Sequence, residues 1–147
     1  MDLSQASPSK IRQYIREGQL QGHTSGLAKG YVQANVVILP SAYAYDFLKF
    51  CFSNPKTCPL LDVSEVGDPS FPTFGNLADI RTDVAKYNVY ENGTLVSSPS
   101  DITHLYNDDL VSFLIGCSFT FEHALLDANI PVRHIDCLLY TSDAADE

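Results

Sequence analysis

Two carboxylates flank one arginine in the stretch Asp79-Ile80-Arg81-Thr82-Asp83. A guanidinium grips a carboxylate through two parallel hydrogen bonds, so Arg81 is the candidate for holding an anionic substrate. Asp79 or Asp83 could move a proton if burial raises its pKa, because a solvated aspartate ionises near about 4. The pattern predicts acid–base chemistry on a small carboxylate. A structural Arg–Asp ion pair that orders the segment is the alternative.

A second group of reactive side chains lies at Gly116-Cys117-Ser118. If a helix begins here, a thiol, a hydroxyl and free backbone N–H groups meet where anions are favoured, which makes the turn a candidate oxyanion site. Cys117 as a nucleophile needs a lowered pKa and a nearby base, and no sequence spacing supplies that base. Glu122 is a candidate catalyst or a first-turn stabiliser. A buried thiol and an ordinary N-cap serine are the alternative.

Polar side chains near the N-terminus are candidates for substrate binding. Arg12 and Arg16 are four residues apart, so one helix face presents both guanidinium groups, either as an anion clamp or as a solvated face. Thr24, Gln33 and Asn35 lie in or beside an apolar stretch and need partners if they are buried, either a ligand or the backbone. The predicted binding residues are Arg16, Thr24, Asn35 and Arg81.

Metal and nucleotide sites are poorly supported by the spacing of residues. Cys51 and Cys58 are seven apart, the four histidines are dispersed, and no C-x-x-C or H-x-x-x-H pattern occurs. The glycine-rich stretch 22–30 has neither the G-x-G-x-x-G nor the G-x-x-x-x-G-K-[ST] spacing of a phosphate-binding loop. We therefore predict no metal and no cofactor.

The first third of the chain predicts helix, strand and helix. Ser7 is the expected N-cap of a short helix that stops at Gly18. Residues 31–39 form the expected strand, buried on both faces in its second half. Ser41 is then expected to cap a helix that ends at Asn54. Its predicted apolar face comprises Tyr45, Leu48 and Phe52.

The rest of the chain predicts irregular and mixed structure. Residues 54–80 are rich in proline and predict an ordered, irregular connection. Asn92-Gly93 predicts a β-hairpin turn. Residues 107–129 predict two helical pieces broken at Gly116-Cys117, and residues 130–135 a closing strand. The expected fold class is α/β, with α+β as the alternative: a mixed sheet with flanking helices and a hairpin.

Composition bounds the class of partner. The chain has 147 residues, 45% of them hydrophobic, which suffices for a globular core. A net charge of −9 argues against nucleic acid, which requires clustered basic residues. No signal peptide or stretch of about 20 apolar residues is found, so we expect a cytoplasmic protein with no membrane partner and with reduced cysteines.

Six separated strings resemble the D-glutamate cyclase family, whose bacterial members are usually called hydro-lyases, and together they cover almost all of residues 8–136. The strings are Arg12-x-x-Ile15-Arg16-x-Gly18, Gly22-x-Thr24-x-Gly26-x-Ala28-x-Gly30-Tyr31-x-Gln33-Ala34-Asn35, Ile38-Leu39-Pro40, Asn54-Pro55-Lys56-x-Cys58-Pro59-Leu60-Leu61, Asp79-Ile80-Arg81-Thr82-Asp83 and Asp109-Leu110-Val111-x-Phe113-Leu114-Ile115-Gly116-Cys117-Ser118-Phe119. Two positions depart from the family pattern: Ala85 stands for a usual proline and Thr120 for a usual serine.

The resemblance implies a carbon–oxygen lyase of amino acid metabolism that closes D-glutamate to 5-oxo-D-proline and water. It also implies that residues 1–136 are the N-terminal half of the family domain, with part of the site supplied by a missing C-terminal half. Residues 137–147, including Cys137, resemble a translated sequencing adapter and are expected to be non-native.

Three functional hypotheses remain open. The first is a lyase that acts on a small anionic amino acid or a related carboxylate, with Asp79, Asp83, Cys117, Ser118 and Glu122 as catalytic candidates. The second is a small-carboxylate binding module without turnover. The third is a truncated, inactive chain; self-association into a homo-oligomer is also open. The lyase hypothesis requires the segment near position 80 to meet the turn near position 117.

Overall fold

The computed structural model describes residues 3–132. In chain order the elements are α1 (Pro8–Arg16), β1 (Ala34–Pro40), α2 (Ser41–Ser53), β2 (Leu60–Val63), β3 (Val89–Glu91), β4 (Thr94–Ser97), β5 (Leu110–Gly116) and α3 (Phe119–Asp127). The prediction of a fold that combines helices with sheet is confirmed. The closing strand predicted over 130–135 is not found in its described part, residues 130–132, and its end, Cys137 and the whole tail 137–147 lie outside the described residues.

The main sheet has the order β1-β5-β2, so β5 is its central strand. Both of its described pairings are antiparallel, whereas a mixed sheet was predicted. The helix predicted around Leu110, Phe113 and Leu114 is therefore wrong. Those positions fit a helical spacing, but they also belong to a continuous apolar run, and periodicity alone does not separate a buried helix from a strand buried on both faces. Most residues of β5 are buried, as a central strand requires.

Helix α1 begins and ends where the sequence predicts. Ser7 is the N-cap and its Oγ accepts a hydrogen bond from the Lys10 backbone N–H at 3.4 Å. Gly18 follows the helix with φ +69°, a left-handed conformation that costs glycine little. Ile11 and Ile15 are buried and form a small core with loop residues. Arg12 and Arg16 directly follow these two residues and form a neighbouring stripe on α1.

Helix α2 packs through a different face from the one predicted. Tyr45, Leu48 and Phe52 are exposed, Phe52 at 85%. Cys51 and Phe47 face β5 instead, and the Phe47 ring meets the Phe113 ring edge-on at 4.9 Å. The helix is apolar almost all round, so more than one stripe has helical spacing, and contact with the sheet selects the buried one.

The N-terminus of α2 also differs from the prediction. Pro40 occupies the N-cap position and no side chain caps the helix. The Ser41 hydroxyl donates to Asp109 Oδ1 at 2.5 Å, so it binds the loop before β5 rather than its own helix. Asn54 ends the helix, as predicted.

Strand β1 and the connection over residues 54–80 also differ from the prediction. β1 starts at Ala34, and its residues 36–39 are half-buried rather than buried on both faces. The connection predicted as irregular over 54–80 contains the short strand β2, and the stretch without helix or strand runs from 64 to 88. The hairpin is confirmed: Asn92 and Gly93 have φ of 50° and 78°, as a tight β3–β4 turn requires.

Within the described residues, no helix has the length and apolarity that a bilayer-spanning segment needs. Cys51, Cys58 and Cys117 are free thiols, as the sequence predicts.

Candidate functional site

A cavity of about 220 Å³ lies between α1, the loop before β1, the sheet and the irregular segment. Val36 of β1 and its register partner Leu114 of β5 line it. The adjacent pair Val37 and Phe113 belongs instead to the core beneath α2. Because side chains alternate along strands, one face of the sheet is covered by α2 and the other forms a wall of the cavity.

Few polar residues line this mostly apolar cavity. They include Arg12 from α1, Thr24 and Gln33 from the loop before β1, and Asp83 from the irregular segment. Concave apolar walls with a few convergent polar groups are typical of small-molecule sites. We therefore take this cavity as the candidate functional site.

Asp83 is the charged centre of the site, and its side chain is only 4% exposed. Arg16 Nη1 lies 2.5 Å from Oδ1, and Arg12 Nε lies 3.5 Å from Oδ2. The Asp79 backbone N–H donates to Oδ2 at 3.0 Å, and the Thr82 hydroxyl donates to Oδ1 at 3.3 Å. The clamp formed by the two arginines of α1 thus holds the protein's own carboxylate.

Arg12 retains donors that its protein contacts do not use. Its Nη2 donates to the Asn76 carbonyl at 3.1 Å, and its Nε faces Asp83. Among the residues that the structure describes, Nη1 has no hydrogen-bond partner. Because Arg12 lines the cavity and is 19% exposed, its guanidinium can accept a ligand carboxylate in addition to Asp83.

Arg81 and Asp79 form a fork-shaped ion pair outside the cavity lining. Arg81 Nε and Nη2 donate to Asp79 Oδ1 and Oδ2 at 2.9 and 2.6 Å. The hydrogen bonds from Arg81 lower the pKa of Asp79, and the same contact raises the pKa of Arg81. This arrangement matches the structural ion pair weighed as the alternative. The roles predicted for these residues in catalysis and binding stay predictions.

The Gln33 side chain is held at the cavity wall by two hydrogen bonds. Its Nε2 donates to the carbonyls of Thr24 and Leu27, at 3.2 and 3.0 Å. Its Oε1 is buried and has no hydrogen-bond partner within residues 3–132. Of the other predicted binding residues, Thr24 lines the cavity, whereas Asn35 is exposed on β1 and does not.

The turn between β5 and α3 contacts the backbone of Gln33, which lies on the cavity wall. Cys117 Sγ donates to the Gln33 carbonyl at 3.6 Å, and the Gln33 N–H donates to Thr120 Oγ1 at 3.2 Å. Of the two predicted clusters, only Asp83 of the first lines the cavity, and Cys117 of the second contacts the backbone of a lining residue, Gln33. Cys117 itself does not line the cavity.

Ser118 and Glu122, the other two candidates in this region, also lie off the cavity lining. Ser118 is exposed, and as the N-cap of α3 it makes no side-chain capping bond. Glu122 is buried in the first turn of α3. The described residues contain no cluster of three or more histidine, cysteine or acidic side chains arranged to hold a metal ion.

Sequence reasoning underestimated Arg12 and Gln33. The four-residue spacing of Arg12 and Arg16 was a usable signal, but the partner of the pair, Asp83, lies far along the chain. The cavity position of Gln33 depends on the turn at Thr24 and on α3, and no local pattern encodes either contact.

The chain is similar to proteins that are named as hydro-lyases. The D-glutamate cyclase family profile matches residues 111–142, a range that extends past Asp136. The chain is 71% identical over 136 residues to a Staphylococcus haemolyticus protein named "Putative hydro-lyase SH0274", covering 92% of this chain and 52% of that protein. It is 65% identical over 135 residues to a "Putative hydro-lyase" of Staphylococcus carnosus, covering the same two shares.

A more distant relative, a "Putative hydro-lyase" of Clostridium beijerinckii, is 54% identical over 136 residues, again with 92% of this chain and 52% of the relative covered. The chain thus spans about half the length of the curated relatives it matches. The chain belongs to the D-glutamate cyclase family, and these relatives are named as hydro-lyases.

Proposed function

We propose that the protein is a hydro-lyase that closes D-glutamate to 5-oxo-D-proline, with the cavity beside Arg12 and Asp83 as its substrate site. The cavity is smaller than the roughly 300–1,000 Å³ of sites for drug-sized ligands, so it suits a small metabolite. The relatives' names support a lyase that eliminates water. The cyclisation of D-glutamate rests on the description of the family.

The observation that carries the proposal is a guanidinium with a spare donor beside a buried carboxylate, inside an apolar cavity. In the reaction, the amine nitrogen of D-glutamate forms a bond to the side-chain carboxyl carbon, and one C–O bond of that carboxyl breaks. The ammonium loses protons, and the departing oxygen gains them and leaves as water. Arg12 would hold a carboxylate or the developing oxyanion.

Asp83 is the one carboxylate among the described lining residues. It would therefore be the group placed to take a proton from the substrate amine and return it to the leaving oxygen. Cys117, Ser118 and Glu122 would act only if substrate reached beyond Gln33, toward the turn before α3. The same proposal includes a contribution to the site from the part of the relatives that this chain does not span.

A second candidate function is a carboxylate-binding module without turnover. The contacts of Asp83 favour it, because Arg16, Arg12, Thr82 and the Asp79 backbone N–H all engage this carboxylate. A carboxylate so engaged serves well as the fixed counterion of Arg12 and does not have to exchange protons.

Proton NMR of D-glutamate and 5-oxo-D-proline tests the proposal. We would follow both compounds with this chain and with the Staphylococcus haemolyticus relative. Formation of 5-oxo-D-proline by either protein supports the cyclase, and formation by the relative alone shows that this half is insufficient. D-Glutamate binding without turnover by either protein supports the binding module. If neither protein binds D-glutamate or converts it, the proposed substrate site is rejected.

A further inference from the structure

The orientation of the Gln33 side-chain amide is fixed by its surroundings. Both contacts of Nε2 are to backbone carbonyls, those of Thr24 and Leu27. A carbonyl only accepts, so the nitrogen must face these two groups and the oxygen must face the other way. If the amide were flipped, its oxygen would face the two carbonyl oxygens, and three hydrogen-bond acceptors would meet without a donor.

Gln33 lines the cavity, and the oxygen of its amide is a buried acceptor. Oε1 is shielded from solvent and has no hydrogen-bond partner in the described part of the chain, and Gln33 lines the cavity. Buried polar atoms are nearly always paired, because an unpaired one loses its interaction with water without replacement. The position therefore suits a ligand that donates a hydrogen bond.

The backbone of Gln33 leaves little freedom to relieve this arrangement. Its N–H donates to Thr120 and its carbonyl accepts from Cys117, so both sides of the peptide are tied to the turn before α3. With the side chain tied to the loop at Thr24, Oε1 is a preorganised acceptor. Arg12 lines the same cavity and offers donors to a carboxylate.

We infer that Gln33 is a specificity-determining residue, whose Oε1 accepts a hydrogen bond from the N–H of a ligand that Arg12 holds by a carboxylate. The ligand class is an amino acid or a lactam acid, in preference to a dicarboxylate that lacks nitrogen. This inference rests on the proposed function, because it takes the cavity as the site of the small acid.

The test compares D-glutamate with glutarate, the five-carbon dicarboxylate without the amine, by isothermal titration calorimetry on the 147-residue chain. We expect D-glutamate to bind at least about 10-fold more tightly, since a site built to pair an N–H discriminates against an analogue without it. In Gln33→Met, which keeps the length but removes the acceptor, the ratio should fall to about one. Gln13→Met is the matched control, because Gln13 is exposed on α1 and, within residues 3–132, its side-chain amide bonds Glu17 away from the cavity.

Circular dichroism and a thermal melt establish whether each variant is folded, because Gln33 also ties the loop at Thr24. If Gln33→Met does not fold, the unmodified chain decides, with 5-oxo-D-proline compared with the γ-lactone acid in which a ring oxygen replaces its N–H. Binding of the lactone acid at least about 10-fold weaker supports the inference, and equal binding overturns it.

The remaining outcomes separate this inference from the proposed function. Equal binding of both ligands by the unmodified chain overturns the role of Gln33 and leaves the carboxylate site standing. An unchanged ratio in folded Gln33→Met also overturns it. If neither ligand binds the unmodified chain, the proposed site fails and the inference fails with it.

Discussion

Arg16 Nη1 lies 2.5 Å from Oδ1 of Asp83, although 67 residues separate the two in sequence. This contact joins α1 to the irregular segment, and each of them forms part of the cavity wall. Arg12, one turn earlier on α1, approaches the other oxygen of the same carboxylate. One buried anion therefore sets the position of the helix and of the guanidinium proposed to meet substrate.

Replacing Asp83 with asparagine should lower the free energy of unfolding by about 1–3 kcal/mol. Removing one partner of a fully buried ion pair costs about 3–5 kcal/mol, but Arg12 and Arg16 are 19% and 42% exposed and water recovers part of the loss. Urea denaturation measures the change. Asp127→Asn is the control, because it breaks the exposed pair with Lys29 and should cost less than about 1 kcal/mol. Equal losses in both variants would contradict a central role for Asp83.

The two arginines of α1 should separate structure from ligand binding. Arg12→Gln should weaken glutarate binding at least about 10-fold, because a hydrogen bond to a charged group contributes about 1.5–3 kcal/mol. Arg16→Gln removes a contact to the same Asp83 but leaves Arg12, which lines the cavity and still approaches Asp83, so its effect should be smaller than that of Arg12→Gln. Titration calorimetry on both variants gives the comparison. If Arg16→Gln weakened glutarate binding more than Arg12→Gln, the ligand would have to bind outside this cavity.

The parts of the fold that the sequence predicted correctly are those specified by neighbouring residues. The Ser7 cap and the Gly18 stop of α1 depend on interactions a few residues apart, and so does the Asn92-Gly93 turn. The strand at Phe113 was predicted as helix because its identity depends on pairing with β1 and β2, which are distant in sequence.

The candidate site shows the same division. The sequence pointed to Asp83 as a charged residue of interest and to the arginines of α1 as an anion clamp. That these are partners of one another depends on how the irregular segment folds over α1, and no local spacing encodes such a contact. By sequence Arg81 was the stronger candidate, because the nearby Asp79 suggested a catalytic site. In the structure the two residues form an ion pair with each other.

The choice of packing face on α2 predicts a contrast between two phenylalanines. Phe113 is 0% exposed at the centre of the sheet, in contact with Phe47. Phe113→Ala should cost about 3–5 kcal/mol of unfolding free energy, as large-to-small core substitutions do. Phe52→Ala, at a position 85% exposed, should change it by less than about 0.5 kcal/mol. Comparable costs in urea denaturation would mean that the predicted face of α2 is the buried one.

Tyr87 should make the protein sensitive to alkaline pH. Burial raises the pKa of its phenol above the usual value of about 10, and the hydroxyl donates to the Ile80 carbonyl. Between the unfolded and folded pKa values the unfolded chain releases a proton that the folded chain keeps, so high pH favours unfolding. The contribution of Tyr87 is fully present below pH ~10 and falls by about 1.4 kcal/mol per pH unit above it.

Urea denaturation from pH ~8 to ~11 isolates this effect when the unmodified chain is compared with Tyr87→Phe. The variant should be less stable at neutral pH by about 1 kcal/mol, because it loses the hydrogen bond to Ile80. Its stability should nevertheless fall less steeply above pH ~10, because phenylalanine has no proton to release. Tyr45→Phe, at an exposed position on α2, should keep the steep fall. If Tyr87→Phe lost stability with pH as fast as the unmodified chain, the alkaline transition would belong to another group.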